Sequence, residues 1–152
     1  MYSATSGTST MQLVSFAVGP ENCALEILRV WEIHRVPEIT PVPGAPPYVR
    51  GIINLRGTTI PILDLRLRMG LSDRDGDARE QRILVVESRG RIAGLLVDRV
   101  YQVVRVSSEQ LERAANGREG FVQAVVKTEN ALLSLLNLEA VLGLREETPT
   151  PA

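Results

Sequence analysis

Between residues 11 and 144 the apolar positions fall in short runs rich in Val, Ile and Leu. Gly, Pro, Asn and Ser interrupt these runs sooner than helices usually allow. The spacing predicts strands at 12–18, 23–27, 30–34, 51–55, 58–63, 82–87, 92–97, 100–106, 120–126 and 131–136. They divide into two sets of five, with the charged stretch 73–81 as a solvated connection. Many short strands closed by turn residues imply an all-β sandwich or barrel. Residues 1–10, small and polar, and 145–152, rich in Pro and Thr, read as disordered arms around one domain spanning 11–144.

An internal repeat sharpens this division. Adding 70 to a position carries Leu25 to Leu95, Arg29 to Arg99, Val30 to Val100, Trp31 to Tyr101, Ile33 to Val103, Arg35 to Arg105 and Val36 to Val106. Adding 73 carries Ile53 to Val126, Ile60 to Leu133, Ile62 to Leu135, Asp64 to Asn137 and Leu65 to Leu138. At that offset Gly57 meets Asn130, and Gly and Asn are the residues that most readily take the positive φ of a tight turn. The chain therefore reads as two versions of one unit, lobe one over about 12–70 and lobe two over about 80–143, with strand exchange between them left open. A ~60-residue unit buries only about 60% of its unfolded surface, so the two are expected to pack together. Closing each into a barrel would remove exposed strand edges, and the cleft between lobes becomes the expected docking place.

Composition narrows the function more than the fold. A net charge of -1 with both signs interspersed gives no broad positive field, and 4% aromatics give few stacking platforms, so nucleic acid is not an expected partner. No apolar run approaches the ~18 residues that span a bilayer, and no direct membrane insertion is expected. A single cysteine and the absence of a signal-like N-terminus fit a reducing cytoplasm.

The chemistry-bearing residues are sparse. One histidine and one cysteine do not make a nucleophile–base or metal-ligand constellation, so neither catalysis nor a metal or cofactor is expected. Cys23 is expected to pack as a small hydrophobe, and His34 to be a plain surface histidine. Asp64 and Asp98, at strand ends, are expected to cap turns. No phosphate-cradling glycine motif is present. Trp31 and its counterpart Tyr101 are expected to pack inside their barrels, with an exposed Trp31 widening an apolar contact surface as the alternative.

From Val49 the chain runs VRGIINLRGTTIPILDLRLRMG, read as a strand, the turn Asn54-Leu55-Arg56-Gly57, a second strand and a helical turn at 65–69. Gly57 closes the turn and leaves Arg56 at an exposed tip, and Pro61 marks its strand as an edge. This stretch closely resembles the signature of the CheW family, in which Gly, two apolar residues, Asn-Leu-Arg-Gly, Pro, an apolar pair and Asp-Leu-Arg follow in that order. The segments LEILRVWEIHRV, RIAGLLVDRVYQVVRVSSEQL and LLSLLNLEAVLG resemble further stretches of the family, and the likeness covers nearly all of 12–143. Cys23, Ala24 and Glu26 depart from an aromatic, a Gly and an Asp or Pro common in relatives. Trp31 stands at an often polar position, and Asn137 where many relatives have Asp.

The resemblance implies two intimately packed SH3-like five-stranded barrels with short helical turns and a short C-terminal helix. It implies a non-catalytic adaptor coupling the regulatory domain of a CheA-type histidine kinase to the tip of a methyl-accepting chemotaxis receptor, cytoplasmic and recruited to membrane arrays. Carried over by position, receptor contact falls on Val30, Glu32, Arg50, Gly51 and Arg56, and kinase contact on Val42, Thr58 and Thr59. Apolar Val30 ringed by Glu32, Arg50 and Arg56 is the mixture a helical hairpin wants in a groove. The same adaptor in a kinase array for surface motility, development or second-messenger control is the alternative, and a nucleic-acid-binding small barrel a more remote one.

Overall fold

The computed structural model describes residues 9–71, 77–117 and 120–144. Most of both expected arms, and residues 72–76 of the expected connection, lie outside the described residues. The strands are β1 (Thr10–Val18), β2 (Glu21–Glu26), β3 (Val30–Arg35), β4 (Val49–Leu55), β5 (Thr58–Asp64), β6 (Arg82–Ser88), β7 (Arg91–Val97), β8 (Arg99–Ser107), β9 (Leu111–Gly117), β10 (Val122–Lys127) and β11 (Leu132–Leu136). Helix α1 (Leu65–Arg68) follows β5 and helix α2 (Leu138–Leu142) follows β11. The chain is all-β in two sheets, as expected.

The sheets are not the two sequence-contiguous sets. One runs β3-β6-β7-β5-β4 and the other β8-β1-β2-β11-β10-β9. Adding 70 turns β1 into β6 and β2 into β7, so each half has given its first hairpin to the other half's sheet. Parallel pairing joins the borrowed strands to their hosts, β2 to β11 and β7 to β5. Hydrophobic periodicity sets which residues face inward but not which strand lies alongside, so the exchange left no trace in the pattern. The second sheet has six strands rather than five. LERAANG, poor in β-branched residues, is extended because its backbone pairs with β10, from Val126 opposite Leu111 to Val122 opposite Gly117.

Burial divides accordingly into three clusters. Phe16, Leu25, Leu84, Leu95, Leu136 and Val141 belong to the large cluster between the sheets. Ile53, Ile60, Ile62 and Ile83 fill the first barrel, and Leu13, Val106, Val126 and Leu135 the second. Cys23 is fully buried in the central cluster, packed as a small hydrophobe.

The duplication persists to single hydrogen bonds. Asp64 N–H donates to the Tyr48 carbonyl at 2.7 Å, and Asn137 N–H to that of Phe121 at 2.7 Å, with each partner displaced by 73. The Asp64 carboxylate caps α1 by accepting from Arg66 N–H at 3.0 Å, and the Asn137 amide oxygen caps α2 by accepting from Ala140 N–H at 3.1 Å. Each helix then closes on a left-handed glycine, Gly70 at φ 78° and Gly143 at φ 77°. Arg68 breaks the symmetry. Its guanidinium lies 4.4 Å from the Tyr48 ring centroid and 4.9 Å from that of Phe121, and donates to the carbonyls of Val141 and Ala140.

Asp98 caps a turn distant in the chain: its carboxylate accepts from Gly19 N–H in the β1–β2 turn and faces Arg66 Nε at 3.3 Å, tying α1 to the other sheet. One local expectation fails. Pro61 is not on an edge, since β5 lies between β4 and β7. The parallel ladder to β7 begins only at Ile62, so the missing Pro61 N–H falls where that side of β5 is not yet paired.

Candidate docking site

The β4–β5 hairpin closes tightly. Leu55 pairs with Thr58, leaving Arg56 and Gly57 as a two-residue turn with φ 51° and 86°. Asn54 and Leu55, read both as strand end and as start of the turn, belong to the strand, and the Asn54 side-chain oxygen accepts from Gly57 N–H at 3.0 Å. The tip reaches β3. One oxygen of the Glu32 carboxylate meets the Arg56 guanidinium and the other meets His34 Nε2. His34 is therefore a member of a three-residue polar cluster, not a plain surface histidine. Its signal in the sequence was its place two residues from Glu32 on one strand, which puts both side chains on the same face.

The remaining candidates stand apart from this cluster. Gly51 is five residues from Arg56 along β4, about 17 Å in an extended strand. Arg50 holds the fully buried Asp64 carboxylate through Nε and Nη2, both at 3.0 Å. Val30 packs against the central cluster. The kinase candidates also separate: Thr58 and Thr59 are exposed beside the hairpin tip, whereas Val42 lies on the β3–β4 loop. That loop pairs antiparallel with β4 at Thr40 and Ile52, which directs it after Thr40 toward the Arg50 end.

Trp31 and Tyr101 do not pack inside their barrels. Trp31 is 54% exposed and Tyr101 49%. Each sits at a bulge: β3 spends Trp31 between Val30, opposite Val86, and Glu32, opposite Val85, and β8 spends Tyr101 and Gln102 opposite Ser15.

Arg29, just ahead of β3, is held from the far sheet. Its guanidinium meets the Glu139 carboxylate of α2, which also accepts from Ser88 Oγ at 2.5 Å. This is the counterpart of Arg66 with Asp98, with the charges exchanged between helix and strand end. Burial alone would raise the Glu139 carboxyl, but the Ser88 hydroxyl, the Arg29 guanidinium and a backbone N–H outweigh it and hold the group below the ordinary carboxylate value of 4.5. A depressed folded value contributes stability that is complete above the unfolded value and lost as pH falls through the folded one. Glu139→Gln is therefore expected to cost about 1 kcal/mol at pH 7, limited by partial exposure. The gap to the parent should close as pH falls below the ordinary carboxylate value and through the depressed folded one. Urea unfolding of both proteins across pH 3–7 checks this, and a pH-independent difference would show that charge is not the cause.

Among the described residues no three His, Cys, Asp or Glu side chains group as metal ligands, and no helix is long and apolar enough to cross a membrane. The surface offers shape, exposed apolar groups and paired charges. Residues 12–146 match the CheW-like domain. Chemotaxis protein CheW of Rhizobium meliloti is 33% identical over 139 residues, 89% of each chain, and that of Bacillus subtilis 33% identical over 135 residues, 86% of each. The crystal structure of scaffolding protein TtCheW from Thermoanaerobacter tengcongensis superimposes with a TM-score of 0.84 at 30% identity, over 91% of this chain and 97% of that one. With the exchanged sheets, the capped helix pair and the Asn-Leu-Arg-Gly hairpin all in place, the chain belongs to the CheW-like domain family.

Proposed function

We propose that this chain is a non-catalytic adaptor coupling a CheA-type histidine kinase to the cytoplasmic tips of chemoreceptors, recruited from the cytoplasm to the receptor array. The observation that carries the reading is likeness to a scaffolding protein along 91% of the chain, at both the backbone and 30% of the residues. An adaptor needs only to favour one conformation of its partner by binding it better, and a rigid strand-exchanged body with exposed anchors suits that task. Receptor contact is assigned to Val30, Glu32, Arg50, Gly51 and Arg56, with Arg50 and Gly51 also shaping the start of β4. Kinase contact is assigned to Val42, Thr58 and Thr59. The test is reconstitution: kinase autophosphorylation comes under receptor control when kinase, receptor membranes and this chain are combined. Equal control without the chain would remove the proposal.

Protein PilI of Pseudomonas aeruginosa is 31% identical over 124 residues, covering 79% of this chain and 69% of that protein, and its name lies outside the chemotaxis series. The second reading is accordingly the same adaptor in an array for surface motility, development or second-messenger control. Co-purification of the bound kinase separates the two.

Arg56→Glu is expected to weaken receptor pull-down sharply, because it replaces the Arg56–Glu32 pair with two like charges at the hairpin tip. Stability should fall by less than about 1 kcal/mol, as for other solvent-exposed pairs. A variant that captures receptor like the parent would take Arg56 out of the site.

A further inference from the structure

The internal repeat locates a difference between the two barrels. In lobe one, Glu32 of β3 clasps Arg56 at the tip of the β4–β5 turn and holds His34 with its other oxygen. The counterparts in lobe two are Gln102, Glu129 and Val104. An amide and an aliphatic group stand where a carboxylate and an imidazole stood, and the turn carries an anion where it carried a cation. That clasp cannot form. A hollow of ≈ 550 Å³ opens instead, lined by Val106 and Leu133 of the second barrel's apolar cluster and by Gln102, Arg105, Glu129 and Asn130. Every residue lining it belongs to the β8-β1-β2-β11-β10-β9 sheet or its turns, so it is separate from the cleft between the sheets.

The frame of the hollow is fixed by its own hydrogen bonds. Thr128 N–H donates to the Ala131 carbonyl at 2.9 Å and Ala131 N–H donates to Thr128 Oγ1 at 3.1 Å, which sets the turn that carries Glu129 and Asn130. Gln110 Nε2 donates to the Lys127 carbonyl at 2.9 Å and ties the foot of that hairpin to the turn after β8. On the β8 side, buried Ser15 donates from Oγ to the Gln102 carbonyl at 3.1 Å, at the bulge. Arg105 and Glu129 bring opposite charges to this frame. Both line the hollow, yet among the described residues neither has an ion-pair partner, the other included.

We infer that the open mouth of the second barrel binds a small zwitterion, an α-amino acid or a dipeptide, with its carboxylate on the Arg105 guanidinium and its ammonium group on Glu129. A guanidinium fork matches a carboxylate with two parallel hydrogen bonds, and a carboxylate accepts readily from an ammonium. The amides of Gln102 and Asn130 each offer donors and an acceptor to a peptide group. Val106 and Leu133 receive an apolar side chain. The volume lies within the ~300–1,000 Å³ usual for small-molecule sites, and a barrel mouth with an apolar wall and a few polar groups is where such sites recur. Two opposite charges held apart in a set frame favour a molecule that carries both, because a singly charged one leaves one of them unanswered. The inference needs neither receptor nor kinase and goes beyond the adaptor reading.

The probe is the dipeptide alanyl-leucine, titrated into the ¹⁵N-labelled full chain and followed by amide chemical shifts. N-acetyl-alanyl-leucine and alanyl-leucine amide are its controls, and free leucine run in parallel separates an amino-acid site from a dipeptide one. Saturable shifts are expected at 102–106 and 128–133, and each cap should weaken dipeptide binding about tenfold, the worth of one charged hydrogen bond. Glu129→Gln should weaken the dipeptide similarly and abolish the penalty of acetylation, whereas Arg105→Gln should abolish that of amidation, both at unchanged melting temperature without ligand. This exchange of preferences is what a general disturbance of the barrel would not produce. The inference is overturned if neither leucine nor the dipeptide gives saturable shifts at those amides by about 10 mM, ten times the ~1 mM Kd of a weak ligand. It is equally overturned if the capped forms bind as well as the free dipeptide, or if the two variants keep the parent's preferences.

Discussion

Gly51→Ala is expected to unfold a large fraction of the protein at temperatures where the parent is fully native. A Cβ at position 51 would stand 2.1 Å from the Thr40 carbonyl oxygen and 2.7 Å from its carbon, and backbone cannot move aside as a side-chain tip can. Thr40 is fixed there by reciprocal hydrogen bonds with Ile52, each 2.9 Å, which hold the long β3–β4 loop against β4. Gly51 also has φ 147°, a conformation that residues with a Cβ rarely adopt. Relief requires breaking the Thr40–Ile52 bridge, at a cost of about 3 kcal/mol or more, much of the stability of an ordinary domain. Gly57→Ala is the internal control. Its φ is also positive, at 86°, but nothing lies within 4 Å of the added carbon, so only the backbone term of about 1 kcal/mol is expected. Urea midpoints of the two variants should differ accordingly. If they match, the Thr40 contact is not what requires glycine at 51.

This changes what Gly51 means within the site. Its place in the signature suggests a partner contact, and its surroundings add a backbone requirement that shapes the start of β4 whatever binds there. Arg50 shares this character, because its guanidinium is committed to Asp64, the residue that also caps α1. A sequence position that matches a motif does not reveal whether a partner or the fold requires it.

Local chemistry was legible because it is local. Runs of β-branched residues marked ten strands to within a few residues, Gly57 and Arg56 marked a hairpin tip, and Asp64 marked a cap. Features that depend on partners distant in the chain were not legible. β9 is extended only because β10 supplies its ladder, and the bulges at Trp31 and Tyr101 exist only in register with β6 and β1. The Glu32–Arg56 pair joins β3 to a tip that the intervening loop brings back. The repeat was the exception, a long-range fact visible in one dimension, and the matching bulges, caps and turn glycines show that it extends to single residues.

The second large effect is expected at Arg68, where the repeat fails. Position 68 plus 73 is Val141, so one copy supplies a guanidinium where the other supplies a backbone carbonyl, and the two meet. Arg68→Ala removes two hydrogen bonds from a cation to carbonyls at the C-terminal end of α2, where positive charge is favoured by the helix dipole. It also empties the slot between Tyr48 and Phe121. The expected loss is about 3 kcal/mol, whereas Arg68→Lys, keeping charge without the planar stacked fork, should lose roughly half of that. The form of the transition is as informative as its midpoint. Each sheet borrows a hairpin from the other half, so neither half can complete its sheet alone, and weakening the helix pair should move one cooperative transition without dividing it. Urea unfolding followed by Trp31 fluorescence, which reports the first sheet, and by far-ultraviolet circular dichroism, which reports both, decides the matter. Coincident curves at a lowered midpoint are expected. Separated curves would mean that the lobes stand independently and that Arg68, rather than strand exchange, holds them together.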